Sequence, residues 1–112
     1  MTHKKTSKLM LSSVGFKMTP AIEQKASDSL APLIETYDQV FRIRAKLRFF
    51  DNGPRRDTFQ VRMRFEQKGP DLVTVQEGHD LYDLIQQVAD ISISRLSEIK
   101  NKRIQSRRKL TH

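Results

Sequence analysis

Apolar and polar residues alternate one for one along two stretches of this chain. From 40 to 49, Phe41, Ile43, Ala45, Leu47 and Phe49 alternate with Arg42, Arg44, Lys46 and Arg48. From 58 to 66, Phe59, Val61, Met63 and Phe65 alternate with Gln60, Arg62, Arg64 and Glu66. Successive side chains of a strand point to opposite faces, so each stretch predicts a strand with one face on a core and one in solvent. Between them, Asp51-Asn52-Gly53-Pro54 is a turn signal. Lys68-Gly69-Pro70-Asp71 marks the next turn, and Leu72 to Gln76 a shorter strand. Lys8 to Val14 reads as a first strand with Leu9 and Leu11 on one face.

Two other stretches carry the helical period. Thr19-Pro20 is a helix start, with Thr as N-cap and Pro at the first helical position. Ile22, Ala26, Leu30, Leu33, Ile34 and Tyr37 follow at spacings of three and four and form one apolar stripe. Pro32 lies inside this stripe, where it removes a backbone hydrogen bond; the helix either kinks near Asp28 or breaks and restarts at Ala31. Asp80 can cap a second helix, because its carboxylate accepts from free N–H groups of the first turn. Leu84, Ile85, Val88, Ser92, Leu96 and Ile99 then recur at helical spacing, and the basic turns from Lys100 on are expected to fray. The order is β-α-β-β-β-α. It predicts an α+β fold with two helices packed on one face of a four-stranded sheet and the other face open. The expected organisation is a flexible basic N-terminus at 1–7, an α/β domain at 8–102 and a basic tail at 103–112.

A chain of 112 residues is one domain with a modest core. It has no cysteine, which excludes a disulfide, a thiol nucleophile and a thiolate metal site. No stretch approaches the roughly 18 apolar residues of a membrane span. The basic start Met1-Thr2-His3-Lys4-Lys5 is not followed by the apolar core of a signal peptide. A cytoplasmic protein without a membrane partner is expected.

The net charge of +8 changes the picture through its distribution. Residues 1–17 hold four Lys and no acid, and residues 95–112 hold seven Lys or Arg against the single acid Glu98. The stretch 18–94 is slightly acidic, with ten basic and twelve acidic residues. Positive ends on a mixed body suit a polyanion. Arg42, Arg44, Lys46 and Arg48 predict a cationic row about 20 Å long on the open sheet face, at roughly 3.3 Å per residue. If the two long strands pair as a hairpin, Arg62 and Arg64 lie alongside. Like charges on one face repel, and a partner with regularly spaced phosphates relieves that. A solvated face that blocks aggregation is the plainer reading of such a row, but the near absence of acids favours nucleic acid. A second basic surface is Arg95, Lys100, Lys102, Arg103, Arg107, Arg108 and Lys109. The helix dipole accounts for Lys100 and Lys102 better than for the last three. Lys25 on the first helix is a further candidate for RNA contact. Tyr82 can stack on a base, although an aromatic in a first turn more often packs under the sheet edge. His3, His79 and His112 are scattered, the serines lack a paired base, and no phosphate-binding loop is present. No catalytic residue, metal ligand or enzymatic activity is expected.

Two segments carry a family resemblance. Asp80-Leu81-Tyr82-x-x-Ile85, after the turn Glu77-Gly78-His79, resembles the second-helix opening of the ribosome hibernation-promoting factors. These short proteins are also called ribosome-associated inhibitors or sigma-54 modulation proteins. Gly15-Phe16-Lys17-Met18-Thr19-Pro20-Ala21 resembles the family's turn from first strand to first helix. The resemblance runs from about Leu9 to about Lys102. It implies the β-α-β-β-β-α fold, which is similar to a double-stranded RNA-binding domain. It also implies binding to the small ribosomal subunit and its rRNA in the mRNA and tRNA channel near the decoding region. Competition with tRNA and mRNA, block of initiation and storage of idle ribosomes would follow, with no cofactor. The implied setting is stress or stationary phase. The chain departs from the family where Asp-Lys-Leu and Arg-Gln-Leu usually stand: here the residues are Asp90-Ile91-Ser92 and Ser94-Arg95-Leu96. Arg95 is displaced by one residue, a rotation of about 100° on a helix. The Arg42 to Arg48 row is more basic than the family's usual second strand. The acidic ending of some members and the C-terminal dimerisation domain of the long ones are both missing. That implies a chain that does not pair ribosomes through such a domain and is monomeric when free.

The main alternative is a general structured-RNA-binding module or RNA chaperone acting off the ribosome, which would tolerate initiator tRNA and mRNA. A module acting on a transcription factor, as the sigma-54 name suggests, would instead bind in high salt and in the presence of RNase.

Overall fold

A computed structural model of the chain describes residues 8–51 and 58–110, with side chains as far as 99. Six elements follow in the expected order: β1 Leu9–Val14, α1 Pro20–Thr36, β2 Val40–Phe50, β3 Thr58–Gln67, β4 Leu72–Gly78 and α2 Leu81–Leu110. The strands form one sheet in the order β1-β2-β3-β4. Because α1 carries the chain back to the start of the sheet, β1 and β2 are parallel. The short connections on either side of β3 leave β2–β3 and β3–β4 antiparallel. The Lys68 to Asp71 turn forms as expected, with Gly69 at φ +96° and the Gln67 side-chain amide donating to the Pro70 carbonyl at 3.0 Å. The turn expected at Asp51 to Pro54 lies outside the described residues from Asn52 on.

Both helices start as their sequences dictate. The Ile22 N–H donates to Thr19 Oγ1 at 3.3 Å, with Pro20 at the first helical position. The Asp83 N–H donates to Asp80 Oδ1 at 3.2 Å. Pro32 neither breaks nor restarts α1, which is one helix from Pro20 to Thr36. The reason is position: Pro32 and Asp28 are both exposed, so water can take the carbonyl that the proline leaves without a donor.

The inner sheet face and the two helical stripes close on one core. Ile43, Ala45, Leu47, Val61, Met63 and Phe65 meet Leu30, Leu33, Ile85, Val88 and Leu96, all essentially inaccessible. A polar insertion in this core is satisfied internally. Ser92 is fully buried; its hydroxyl donates to the Val88 carbonyl at 2.6 Å and lies 3.0 Å from Thr74 Oγ1 on β4.

Two expectations are corrected. The alternation puts Phe41 on the core face, yet Phe41 is 59% exposed while Val40 is 1% exposed. A register irregularity between Val40 and Arg42 inserts one residue opposite β3, and such a bulge re-aims the side chain before it. The fraying expected from Lys100 also does not match, since α2 continues to Leu110. No Gly or Pro follows Gly78, and Lys, Arg, Gln and Leu are good helix formers. Among the residues whose side chains are described, Leu96 is the last fully buried one of α2. The helix runs on for about 21 Å beyond it, at 1.5 Å per residue.

Candidate nucleic-acid interface

The open sheet face is built by register. Arg42, Arg44, Lys46 and Arg48 point away from the helices, as do Arg62 and Arg64, and pairing sets Arg44 opposite Arg64 and Lys46 opposite Arg62. Strand β1 adds Met10 beside Arg44, Ser12 beside Lys46 and Val14 beside Arg48. All six expected cations therefore share one surface.

The few acids at this face count for more than their expected near absence suggests, because they pair three of the six cations. Glu66, on the same face of β3, accepts from Arg44 Nε at 3.1 Å and lies 3.6 Å from Arg42 Nη1. Asp71 accepts from Arg64 Nε at 2.9 Å. Exposed pairs of this kind add little stability, about 0–1 kcal/mol, but they cancel local charge. Glu66 is visible in the alternation of β3. Its position opposite Arg42 depends on the strand pairing, which no short-range pattern encodes. Arg48 is turned along the sheet, with its guanidinium 5.0 Å from the Phe50 ring centroid and its buried Nε without a partner. Lys46 and Arg62 have no ion pair among the described residues. They line a depression of about 390 Å³ together with Met10, Ser12, Arg44 and Arg64.

The helical side is organised differently. Lys25, an expected RNA contact, ties the helices together: its Nζ donates to Gln86 Oε1 at 3.1 Å, as does Ser29 Oγ at 3.0 Å. Gln86 in turn donates to Asp90 at 3.0 Å. Arg95 folds back onto β4, donating through Nη1 to the Val73 carbonyl at 2.7 Å and toward Thr74 Oγ1 at 3.3 Å. Tyr82 does not pack under the sheet edge. It is 44% exposed at the mouth of a hollow of about 620 Å³ whose walls include Phe16, Phe49, Phe59, His79 and Leu81. Lys100, Lys102, Arg103, Arg107 and Arg108 belong to α2, and their side chains lie outside the described residues. Among the described residues no three of His, Cys, Asp or Glu form a group that could hold a metal ion. No helix among them is long and apolar enough to cross a membrane.

Residues 9–104 match the family model described as sigma 54 modulation protein / S30EA ribosomal protein. The chain belongs to that family. Among solved structures, it is similar to a ribosomal subunit interface protein from Coxiella burnetii, with a TM-score of 0.72 at 15% identity. That match covers 83% of this chain and 97% of the other. It is also similar to the N-terminal domain of Thermus thermophilus Protein Y, with a TM-score of 0.62 at 20% identity over 80% and 93% of the two chains. At these identities the two structures speak for a shared fold. No curated protein matches the sequence.

The two segments that carry the S30EA resemblance meet in space. Gly15 and Phe16 line the same hollow as Asp80, Leu81 and Tyr82. Their chemistry is first of all architectural. Gly15 sits at φ +85°, and a Cβ there would meet the Phe49 carbonyl oxygen at 2.7 Å. Only glycine tolerates both the left-handed backbone and that approach. Phe16 then stands edge-on to Phe59 at 5.8 Å, and Thr19 and Asp80 cap the two helices. Gly15→Ala is expected to lower stability by about 1–3 kcal/mol, read as a shift in the urea midpoint. An unchanged midpoint would mean that the turn rebuilds without strain.

Proposed function

We propose that this S30EA-family protein associates with the small ribosomal subunit in the mRNA and tRNA channel near the decoding region. There it blocks initiation and preserves idle ribosomes in the cytoplasm under stress. The family match over residues 9–104 carries this reading, and the description of the Coxiella relative as a ribosomal subunit interface protein agrees with it. The physics is compatible. A basic wedge in a groove walled by rRNA phosphates gains affinity from shape and charge without reading bases. The reading assigns the contacts to the cations of α2 from Lys100 on and to the open sheet face.

The test is co-sedimentation of the protein with small subunits at low and high salt, with and without initiator tRNA and mRNA. Stoichiometric, salt-sensitive binding that tRNA displaces is expected. Binding that ignores tRNA, or that is no tighter than binding to bulk duplex RNA, would transfer the protein to general RNA binding off the ribosome.

A further inference from the structure

The six cations of the open sheet face are not equivalent. Arg42 and Arg44 share Glu66, and Arg64 has Asp71. The remaining acid of the face, Glu77, lies a row away opposite Gln60. Lys46 and Arg62 stand directly opposite each other across β2 and β3, both exposed and both without an ion pair among the described residues. Like charges in that register oppose folding. The same face pairs Arg42, Arg44 and Arg64 with acids from β3 and its following turn and lays Arg48 against the Phe50 ring, which leaves Lys46 and Arg62 as two facing cations with neither kind of partner.

Ser12, registered beside Lys46 on β1, completes the row on the other side. The three side chains rim the depression of about 390 Å³, and Arg44 and Arg64 form its next row. Arg44 and Arg64 each use Nε on their carboxylate, and a guanidinium has five donors, so both retain nitrogens for a second anion.

We infer that Ser12, Lys46 and Arg62 form a seat for one phosphate group on the open face of the sheet. Cross-strand neighbours have Cβ atoms about 5 Å apart, which lets an ammonium and a guanidinium converge on one anion from two sides. The guanidinium presents paired donors that match phosphate oxygens, the ammonium a point charge, and the hydroxyl a neutral donor. The bound phosphate removes the repulsion that the empty seat carries. In the cell the phosphate is a backbone phosphate of RNA laid across the strands. That clause rests on the ribosomal reading; the seat itself does not.

The experiment is an NMR titration of the full chain with inorganic phosphate, and separately with a short oligouridylate. It compares the wild type, Lys46→Gln/Arg62→Gln and the charge-matched control Lys17→Gln/Lys68→Gln. In the wild type, phosphate is expected to shift amides around Ser12, Lys46 and Arg62 in a one-site curve. The seat variant should bind roughly tenfold or more weakly, the scale of one charge-assisted hydrogen bond, and the control about twofold at most. Without phosphate the seat variant should melt no lower than the wild type, and added phosphate should raise Tm more for the wild type and the control than for the seat variant. Oligouridylate that shifts the same amides, and is competed by phosphate, supports RNA as the source. A response to phosphate alone supports the seat with a free anion as its ligand. Equal losses in both variants, shifts confined to other surfaces, or equal competition by polyglutamate would overturn the seat. Failure of ribosome co-sedimentation would leave this titration untouched, so the two readings fail separately.

Discussion

Replacing Phe65 by Ala is expected to destabilise the protein by about 3–5 kcal/mol, the range for a large aromatic removed from a closed core. Phe65 is completely inaccessible and heads the largest fully buried side chains. It lies on β3, an inner strand, registered between Ile43 on β2 and Leu72 on β4. Only one face of the sheet is covered by helices, so no second layer can move in to fill the gap. Domains of this size are stable by about 5–15 kcal/mol in total, so the loss takes a large share. Phe41→Ala is the matched control. Phe41 is 59% exposed, and its truncation should stay within about 0.5 kcal/mol. Urea melts of both variants check the pair. Equal losses would mean that the bulge after Val40 is absent in solution and Phe41 reaches the core.

The same two phenylalanines show how much of the fold is legible in the sequence. Period-two alternation identifies both long strands, and every named residue of the α1 stripe is buried: Ile22, Ala26, Leu30, Leu33, Ile34 and Tyr37. These patterns are readable because burying one face is a local, repeated constraint on residue type. The bulge is not readable in that way. Val40 and Phe41 are both apolar, and which of them enters the core depends on where β3 pairs. Pro32 leaves two outcomes open because its cost depends on whether water reaches the Asp28 carbonyl, a property of the packed helix. The extent of α2 is easily underestimated because a dense run of charge suggests fraying, while the absence of helix breakers after Gly78 argues the other way.

At the candidate interface, the sequence carries the sign of the charge but not its compensation. The six sheet cations do share one face, as the alternation requires. That Glu66 quiets two of them and Asp71 a third follows from register alone. Lys25 and Arg95 look like free cations in the sequence because the groups that hold them are distant in it. Their partners, Gln86 and the Val73 carbonyl, are 61 and 22 residues away in the chain. Tyr82 shows the opposite case. Its place in the first turn predicts packing under the sheet edge, and a half-exposed ring at an aromatic hollow is found, because Leu81 rather than Tyr82 takes the buried position of that turn.

Ending the chain after Lys100 is expected to leave the body folded and to weaken association with small subunits by roughly 10²-fold or more at moderate salt. Leu96, the last fully buried residue of α2 among those whose side chains are described, is retained, so Tm should hardly move. The change removes five cations, Lys102, Arg103, Arg107, Arg108 and Lys109. Every phosphate left without its cation makes the salt dependence shallower by about one, so the slope of log affinity against log salt should flatten by up to about five. Changing all of Arg42, Arg44, Lys46, Arg48, Arg62 and Arg64 to Gln removes more charge but is expected to flatten it by only about two to three. Three of those six already answer to Glu66 and Asp71, and a cation that must give up a carboxylate gains less from a phosphate. Co-sedimentation across a salt series measures both slopes. A larger effect from the sheet variant would make the sheet the principal rRNA surface and α2 beyond Lys100 the minor one. If neither variant changes association, phosphate contact by these surfaces is not what holds the protein on the subunit, and the channel model fails with it.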